Sequence, residues 1–111
     1  MKKISKSKIL RAIRESIEHW QDNVKRIVAC NVYSRSVCLT GSNNCPLCKF
    51  IYKKYYNCSS CPLYIYGYQC AEDGSPYTEF VEAQTKKIAL KKAKNMVKVL
   101  QMILEHIKIC N

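Results

Sequence analysis

Cysteine is the residue type in this sequence that could do the most specific chemistry, because eight cysteines occur in 111 residues. Cys45 and Cys48 form one CxxC pair, and Cys58 and Cys61 form a second pair after nine intervening residues. Cys70 follows Cys61 after eight intervening residues. Two CxxC turns can bring four thiolates onto one ion in the tetrahedral geometry that structural Zn²⁺ prefers. The spacing therefore predicts a zinc site built from four of these five cysteines.

The same cysteine spacing is compatible with alternatives to this zinc site. The gap between the two pairs is shorter than the roughly 15–20 residues of common four-cysteine zinc sites, so Cys70 could replace one member of the pairs. Disulfides are one alternative, because an even number of cysteines in a small chain often forms a disulfide framework. An iron–sulfur cluster and uncoordinated thiols are two others. Cys30, Cys38 and Cys110 lack the paired spacing, and we expect them to be small buried residues. A local disulfide or a second, weaker metal pair is the alternative for Cys30 and Cys38.

The N-terminus is basic but has no apolar core of the kind that a secretory signal needs. We therefore expect a cytoplasmic protein, in a reducing compartment where thiols stay reduced or bind metal. No apolar run approaches the roughly 20 residues of a membrane span, so no membrane partner is expected.

Positive charge is the second outstanding feature, with 19 Lys and Arg against 8 Asp and Glu. Residues 1–39 carry a net charge of +6 and residues 81–111 carry +5, whereas residues 40–80 are neutral. Basic surfaces attract polyanions, so we expect contacts with the phosphates of nucleic acid or a nucleoprotein, or with an acidic protein. A solvated lysine face that only keeps the protein soluble is the alternative. The candidate binding residues are Lys87, Lys91, Lys94, Lys98, Arg11, Arg14, Lys25 and Arg26.

Two long amphipathic helices are predicted to carry these basic residues. Apolar residues recur at spacings of three and four in each helix, which is the pattern of one buried stripe. In the N-terminal helix, 4–28, the stripe comprises Leu10, Ile13, Ile17, Trp20, Val24 and Ile27. In the C-terminal helix, 79–109, it comprises Ala89, Ala93, Met96, Leu100, Ile103 and Ile107.

Neither helix can bury its stripe alone, so we expect the two to pack together in an antiparallel pair. The fold class that this predicts is mostly α, as a single domain over 1–111. Between the helices, a cysteine-rich insert over 29–78 would be held by zinc and contain short strands or turns, with 63–68 as the candidate strand.

Enzymatic activity is not expected from these residues. Catalytic zinc usually has histidine or carboxylate ligands, and the chain has only two histidines, His19 and His106. There is no glycine-rich phosphate loop and no nucleophile elbow. We therefore expect a binding module, and we keep a redox protein that uses the CxxC thiols open as an alternative.

Several of these motifs, in this order, resemble a group of small cysteine-rich proteins encoded by phages. The resemblance runs through Ser-Ile-Glu-His-Trp at 16–20, Asn-Cys-Pro-Leu-Cys at 44–48, Cys-Ser-Ser-Cys-Pro-Leu at 58–63, then Cys70, and Pro-Tyr at 76–77. It ends in the last helix at Ala93, Met96 and Leu100. The resemblance implies a viral or prophage source and a metal site drawn from the five clustered cysteines. It implies no reaction. With a viral source, the acidic partner would be an acidic host protein, and an inhibitor that docks on a host defence protein is a second alternative function. The extra cysteines at 30, 38 and 110 and the excess of lysine depart from the pattern of that group.

Overall fold

Five α-helices and one short 3₁₀ helix make up the fold in the computed structural model, which describes residues 5–38, 40, 44–55 and 61–109. The side chains of Arg35 and of residues 51–55 are not described. Cys58 and Cys110 lie outside the described residues. The elements are α1 (Lys6–Ala29), the 3₁₀ helix (Arg35–Val37), α2 (Pro46–Tyr55), α3 (Pro62–Ile65), α4 (Pro76–Glu82) and α5 (Lys86–Ile109).

The long helices α1 and α5 pack against each other in antiparallel orientation, as the sequence predicted. At one end, the Lys6 ammonium donates a hydrogen bond to the Lys108 carbonyl. At the other end, the Lys86 ammonium donates to the carbonyls of Val28 and Cys30, at 3.2 and 2.9 Å. These carbonyls lie at the C-terminal end of α1, where a positive charge also interacts favourably with the helix dipole.

The core lies along the facing sides of α1 and α5, with three short helices closing it. Most of the predicted stripe residues are buried, while Leu10, Val24 and Ile107 at its margins are half-buried. Leu47 of α2, Leu63 of α3 and Phe80 of α4 insert into the same core, and each is at most 3% exposed. Burial of such a side chain contributes about 1.5–3 kcal/mol. The short helices are thus attached to the helix pair through one or two large side chains each.

The predicted C-terminal helix over 79–109 is two helices in the structure. The helix α4 begins earlier, at Pro76, because the Ser75 side chain accepts the backbone N–H of Thr78 and caps its N-terminus. It ends at Glu82, and α5 begins at Lys86. The Thr85 hydroxyl accepts the N–H of Ile88 at 3.2 Å, and this bond satisfies an amide that has no partner inside the helix. The prediction of one continuous helix was therefore wrong at 83–85.

The predicted strand over 63–68 is also wrong. Residues 62–65 form the short helix α3, with Pro62 in its first turn and the N–H of Tyr66 bonded to the Pro62 carbonyl. Gly67 then adopts a φ of 85°, which favours glycine. Leu63 is buried whereas Tyr64 and Ile65 are both exposed, so alternate residues do not face a common side. No strand occurs in the described residues.

Candidate functional site

The first CxxC turn sits at the N-terminus of α2 and is held against α1. Cys45 directly precedes the first helical residue, and its carbonyl accepts the N–H of Lys49 at 2.9 Å. The N–H of Leu47 donates to the hydroxyl of Ser16 on α1, at 3.2 Å. Both Ser16 and Leu47 are 1% exposed. The turn is therefore positioned by one buried hydrogen bond and one buried leucine.

The two thiols of this turn interact directly. The pKa of Cys45 is lowered from its ordinary value of 9.0 to about 6. The largest cause is a hydrogen bond from the Cys48 thiol, and burial acts in the opposite direction. The backbone amides of Cys48 and Leu47 and the side chain of Ser16 lower the pKa of Cys45 further. A thiolate at Cys45 and a thiol at Cys48 thus share one proton at neutral pH.

The pKa of Cys48 is raised, first by its hydrogen bond to Cys45 and then by burial. Negative charge on Cys45, Cys70 and Cys61 raises it further. Ionisation of Cys48 is therefore opposed by charge on three other cysteines of the predicted set. A cation among these sulfurs would reverse the sign of the effect, because it stabilises the thiolate form of each ligand.

Three of the predicted ligands line one cavity of about 240 Å³, at the junction of the insert with the long helices. These are Cys45, Cys48 and Cys70, and the apolar part of the wall includes Trp20 and Met96. The carbonyl of Cys70 is fixed by hydroxyl hydrogen bonds from Ser75 at 3.2 Å and Thr78 at 2.7 Å. Cys61 is the residue that precedes α3.

Three of the five predicted ligands thus line one cavity, and the zinc site stays a prediction. No disulfide joins any two of the six described cysteines. Within the described residues, no three Cys, His, Asp or Glu side chains form a group that could hold a metal ion. Cys58, the other half of the second CxxC pair, lies outside those residues.

Cys30 and Cys38, which do not belong to the CxxC pairs, lie away from the candidate centre. Cys38 is buried, its thiol donates to the Asn23 carbonyl at 3.9 Å, and burial raises its pKa. Cys30 was also predicted to be buried, but it is half-buried at the end of α1, where its thiol donates to the Ile27 carbonyl at 3.0 Å. Neither lines the cavity of the candidate centre.

Four of the basic residues of α5 form a row that we call the lysine stripe, comprising Lys87, Lys91, Lys94 and Lys98. All four are exposed, on the side of α5 opposite its buried residues. Their spacing of four, three and four places them in one row about 17 Å long. In the part of the chain that the structure describes, none of the four lies within ion-pair distance of a carboxylate. The stripe therefore presents uncompensated positive charge.

The basic residues of α1 are in a different electrostatic environment. Arg11 pairs with Glu15 and Arg26 pairs with Asp22, each at 3.2 Å and each four residues apart. Arg14 lines an open groove between α1 and α5 that Glu18 and Glu105 also line. Lys25 is exposed. The eight predicted residues thus separate into a stripe without acidic partners on α5 and a face of mixed charge on α1.

The two histidines have local structural contacts. His19 lines the cavity, contacts the Trp20 ring edge-to-face at 5.7 Å and lies 3.5 Å from the Asn23 side chain. His106 hydrogen-bonds to the hydroxyl of Tyr66, which ties the turn after α3 to α5.

Sequence reasoning missed the buried polar residues of α1. Ser16 and Asn23 are each 1% exposed and lie seven residues apart on the buried face of the helix. The available signal was that these two polar residues interrupt an otherwise apolar face of the helix. A buried polar group requires a hydrogen-bond partner, so each position pointed to a specific contact.

Comparison of the chain with protein-family models, with curated proteins and with solved structures gave no match. The resemblance to cysteine-rich phage proteins therefore stays a prediction. Among the described residues, no helix has the length and apolar character that crossing a membrane requires.

Proposed function

We propose that this protein is a small zinc-stabilised module that binds nucleic acid through the phosphate backbone. The observation that carries the proposal is the lysine stripe of α5, with four exposed lysines in a row and no carboxylate within ion-pair distance among the described residues. A viral or prophage origin is supported by the resemblance of the cysteine motifs alone.

The dimensions of the stripe match a nucleic-acid duplex. Its length of about 17 Å corresponds to about five base-pair steps of 3.4 Å. The helix α5 contains no Phe, Trp or Tyr, so it has no aromatic ring on which a base could stack. Lysines on a rigid helix then contact phosphates as point charges and read no sequence.

Zinc is the proposed cofactor, with four of Cys45, Cys48, Cys58, Cys61 and Cys70 as its ligands. The support is the cavity that Cys45, Cys48 and Cys70 line together and the hydrogen bond between the two thiols of the first CxxC turn. Zn²⁺ displaces protons from thiols on binding and replaces the repulsion among neighbouring thiolates with attraction. Its role here is structural, to hold the insert against α1 and α5.

The experiment is a salt titration of duplex DNA binding with two variants of equal net charge. K91Q/K94Q removes two charges from the lysine stripe, and R11Q/R26Q removes two charges that are ion-paired in the structure. If both lysines contact phosphates, the slope of log K against log salt becomes shallower by about 1.8, since each contact contributes about 0.9. The slope of R11Q/R26Q should stay close to that of the wild type.

Two results would contradict the proposal. One is the absence of duplex binding by the wild type at low salt. The other is an equal loss in both variants, which would show that net charge rather than the stripe determines the affinity.

A thiol redox function is the second candidate, and one observation favours it. Cys45 lies at the N-terminus of α2 with a pKa lowered to about 6, as in cysteines that are activated as nucleophiles. A bound metal would occupy the same sulfur and suppress this reactivity. Metal content and thiol reactivity, measured on the same reduced sample, therefore separate the two functions.

A further inference from the structure

We propose that Ser16 is a positioning residue of the cysteine centre: its hydroxyl fixes the turn of residues 45–48 on α1 and orients the Cys45 sulfur toward a bound metal. The inference rests on the metal site in the proposed function. It concerns a residue of the N-terminal helix that lies 29 positions before the first ligand in sequence.

The burial of Ser16 requires an explanation. It lies on the buried face of α1 beside Ile13 and Ile17, and only 1% of it is exposed. A hydroxyl in such a place must be hydrogen-bonded or it destabilises the fold. Ser16 accepts the N–H of Leu47 at 3.2 Å, across 31 residues of sequence. That amide belongs to the first turn of α2, where backbone amides have no partner within their own helix.

The remaining hydrogen-bonding capacity of Ser16 is directed to the sulfur. A serine hydroxyl has one donor and two acceptor positions. Since the oxygen already accepts the Leu47 amide, its proton is available for Cys45, whose sulfur hydrogen-bonds to the Ser16 side chain. Groups that hydrogen-bond to metal ligands fix their orientation, and their removal typically weakens metal binding 10- to 100-fold.

The test uses the full chain loaded with Co²⁺, whose charge-transfer absorption reports on the thiolate ligands. Ser16→Ala should move this band to lower energy, because a thiolate that has lost a hydrogen bond gives up an electron more easily. Ser16→Thr keeps the hydroxyl and should keep the wild-type band. Leu104→Ala, a core truncation in α5, serves as the destabilised control and should also keep it, whatever its effect on folding. An unchanged band in Ser16→Ala would overturn the inference.

If the wild type holds no metal, the proposed cofactor fails. A second measurement then tests whether Ser16 positions the turn of residues 45–48. Hydrogen exchange at the Leu47 amide should be at least about tenfold faster in Ser16→Ala than in the wild type, a loss of protection typical of a broken buried bond. The Lys49 amide, which bonds to the Cys45 carbonyl at 2.9 Å, is the internal control and should stay protected. Equal exchange of Leu47 in both proteins would show that Ser16 does not position the turn.

Discussion

Trp20 is the side chain that connects the helix pair with the candidate centre. It is 2% exposed and meets the Phe80 ring edge-to-face at a centroid distance of 4.8 Å. Tyr77 of the same short helix, α4, packs against it at 6.2 Å. Trp20 also forms part of the wall of the cavity that Cys45 and Cys48 line. One residue of α1 thus contributes both to the attachment of α4 and to the walls of the centre.

Truncation of Trp20 should therefore be costly. We expect Trp20→Ala to lower the free energy of unfolding by about 3–5 kcal/mol, as for other buried aromatic truncations. Urea denaturation followed by far-ultraviolet circular dichroism measures this difference. Val32→Ala is the control, because Val32 is 82% exposed and its truncation should change stability by less than about 0.5 kcal/mol. A loss below about 1 kcal/mol in Trp20→Ala would contradict the role that the ring contacts assign to it.

At the scale of the elements, the junction between α4 and α5 determines how the C-terminal part of the chain covers the core. The break at 83–85 lets α4 turn back along α5, where Glu79 pairs with Lys92 at 3.2 Å. The Thr85 hydroxyl makes the first hydrogen bond of the new helix. The position of Phe80 against Trp20 depends on this change of direction.

Removal of the Thr85 hydroxyl should destabilise the junction. We expect Thr85→Ala to lower the free energy of unfolding by about 0.5–2 kcal/mol, the usual cost of losing an N-terminal cap. Thr85→Ser keeps the capping oxygen and should remain within a few tenths of a kcal/mol of the wild type. Thermal unfolding of the two variants in parallel measures the effect. Equal stability of Thr85→Ala and Thr85→Ser would show that the hydroxyl does not hold the break.

The antiparallel packing of the long helices could be predicted from sequence, because their apolar residues repeat with the helical period over about five turns. The break at 83–85 could not, since neither glycine nor proline marks it and the cap is a single hydroxyl. The helix at 62–65 was missed because alternating tyrosines outweighed Pro62, whose position favours a first helical turn. The role of Ser16 depends on a partner 31 residues away, which no local pattern reveals.

At the scale of the whole molecule, the insert is attached to the core by a few fully buried side chains. Among the insert residues whose side chains are described, Cys38, Leu47 and Leu63 are buried hydrophobic residues, and eight more hydrophobic side chains are partly buried against the core. Burial must offset the entropy of ordering this loop-rich segment. Structural zinc supplies on the order of 10 kcal/mol of apparent binding free energy in small modules. A metal in the insert would therefore add to the free energy that holds this segment against the long helices.

Native mass spectrometry of the full chain, purified under reducing conditions, tests the proposed centre most directly. We expect one zinc ion per chain, retained in the wild type and lost or weakened in Cys48→Ser, with Cys38→Ser as the matched cysteine control that keeps the metal. Chelation should then unfold the insert while α1 and α5 stay helical. A folded, fully reduced and metal-free wild-type chain whose stability does not change on addition of zinc would contradict the proposed centre.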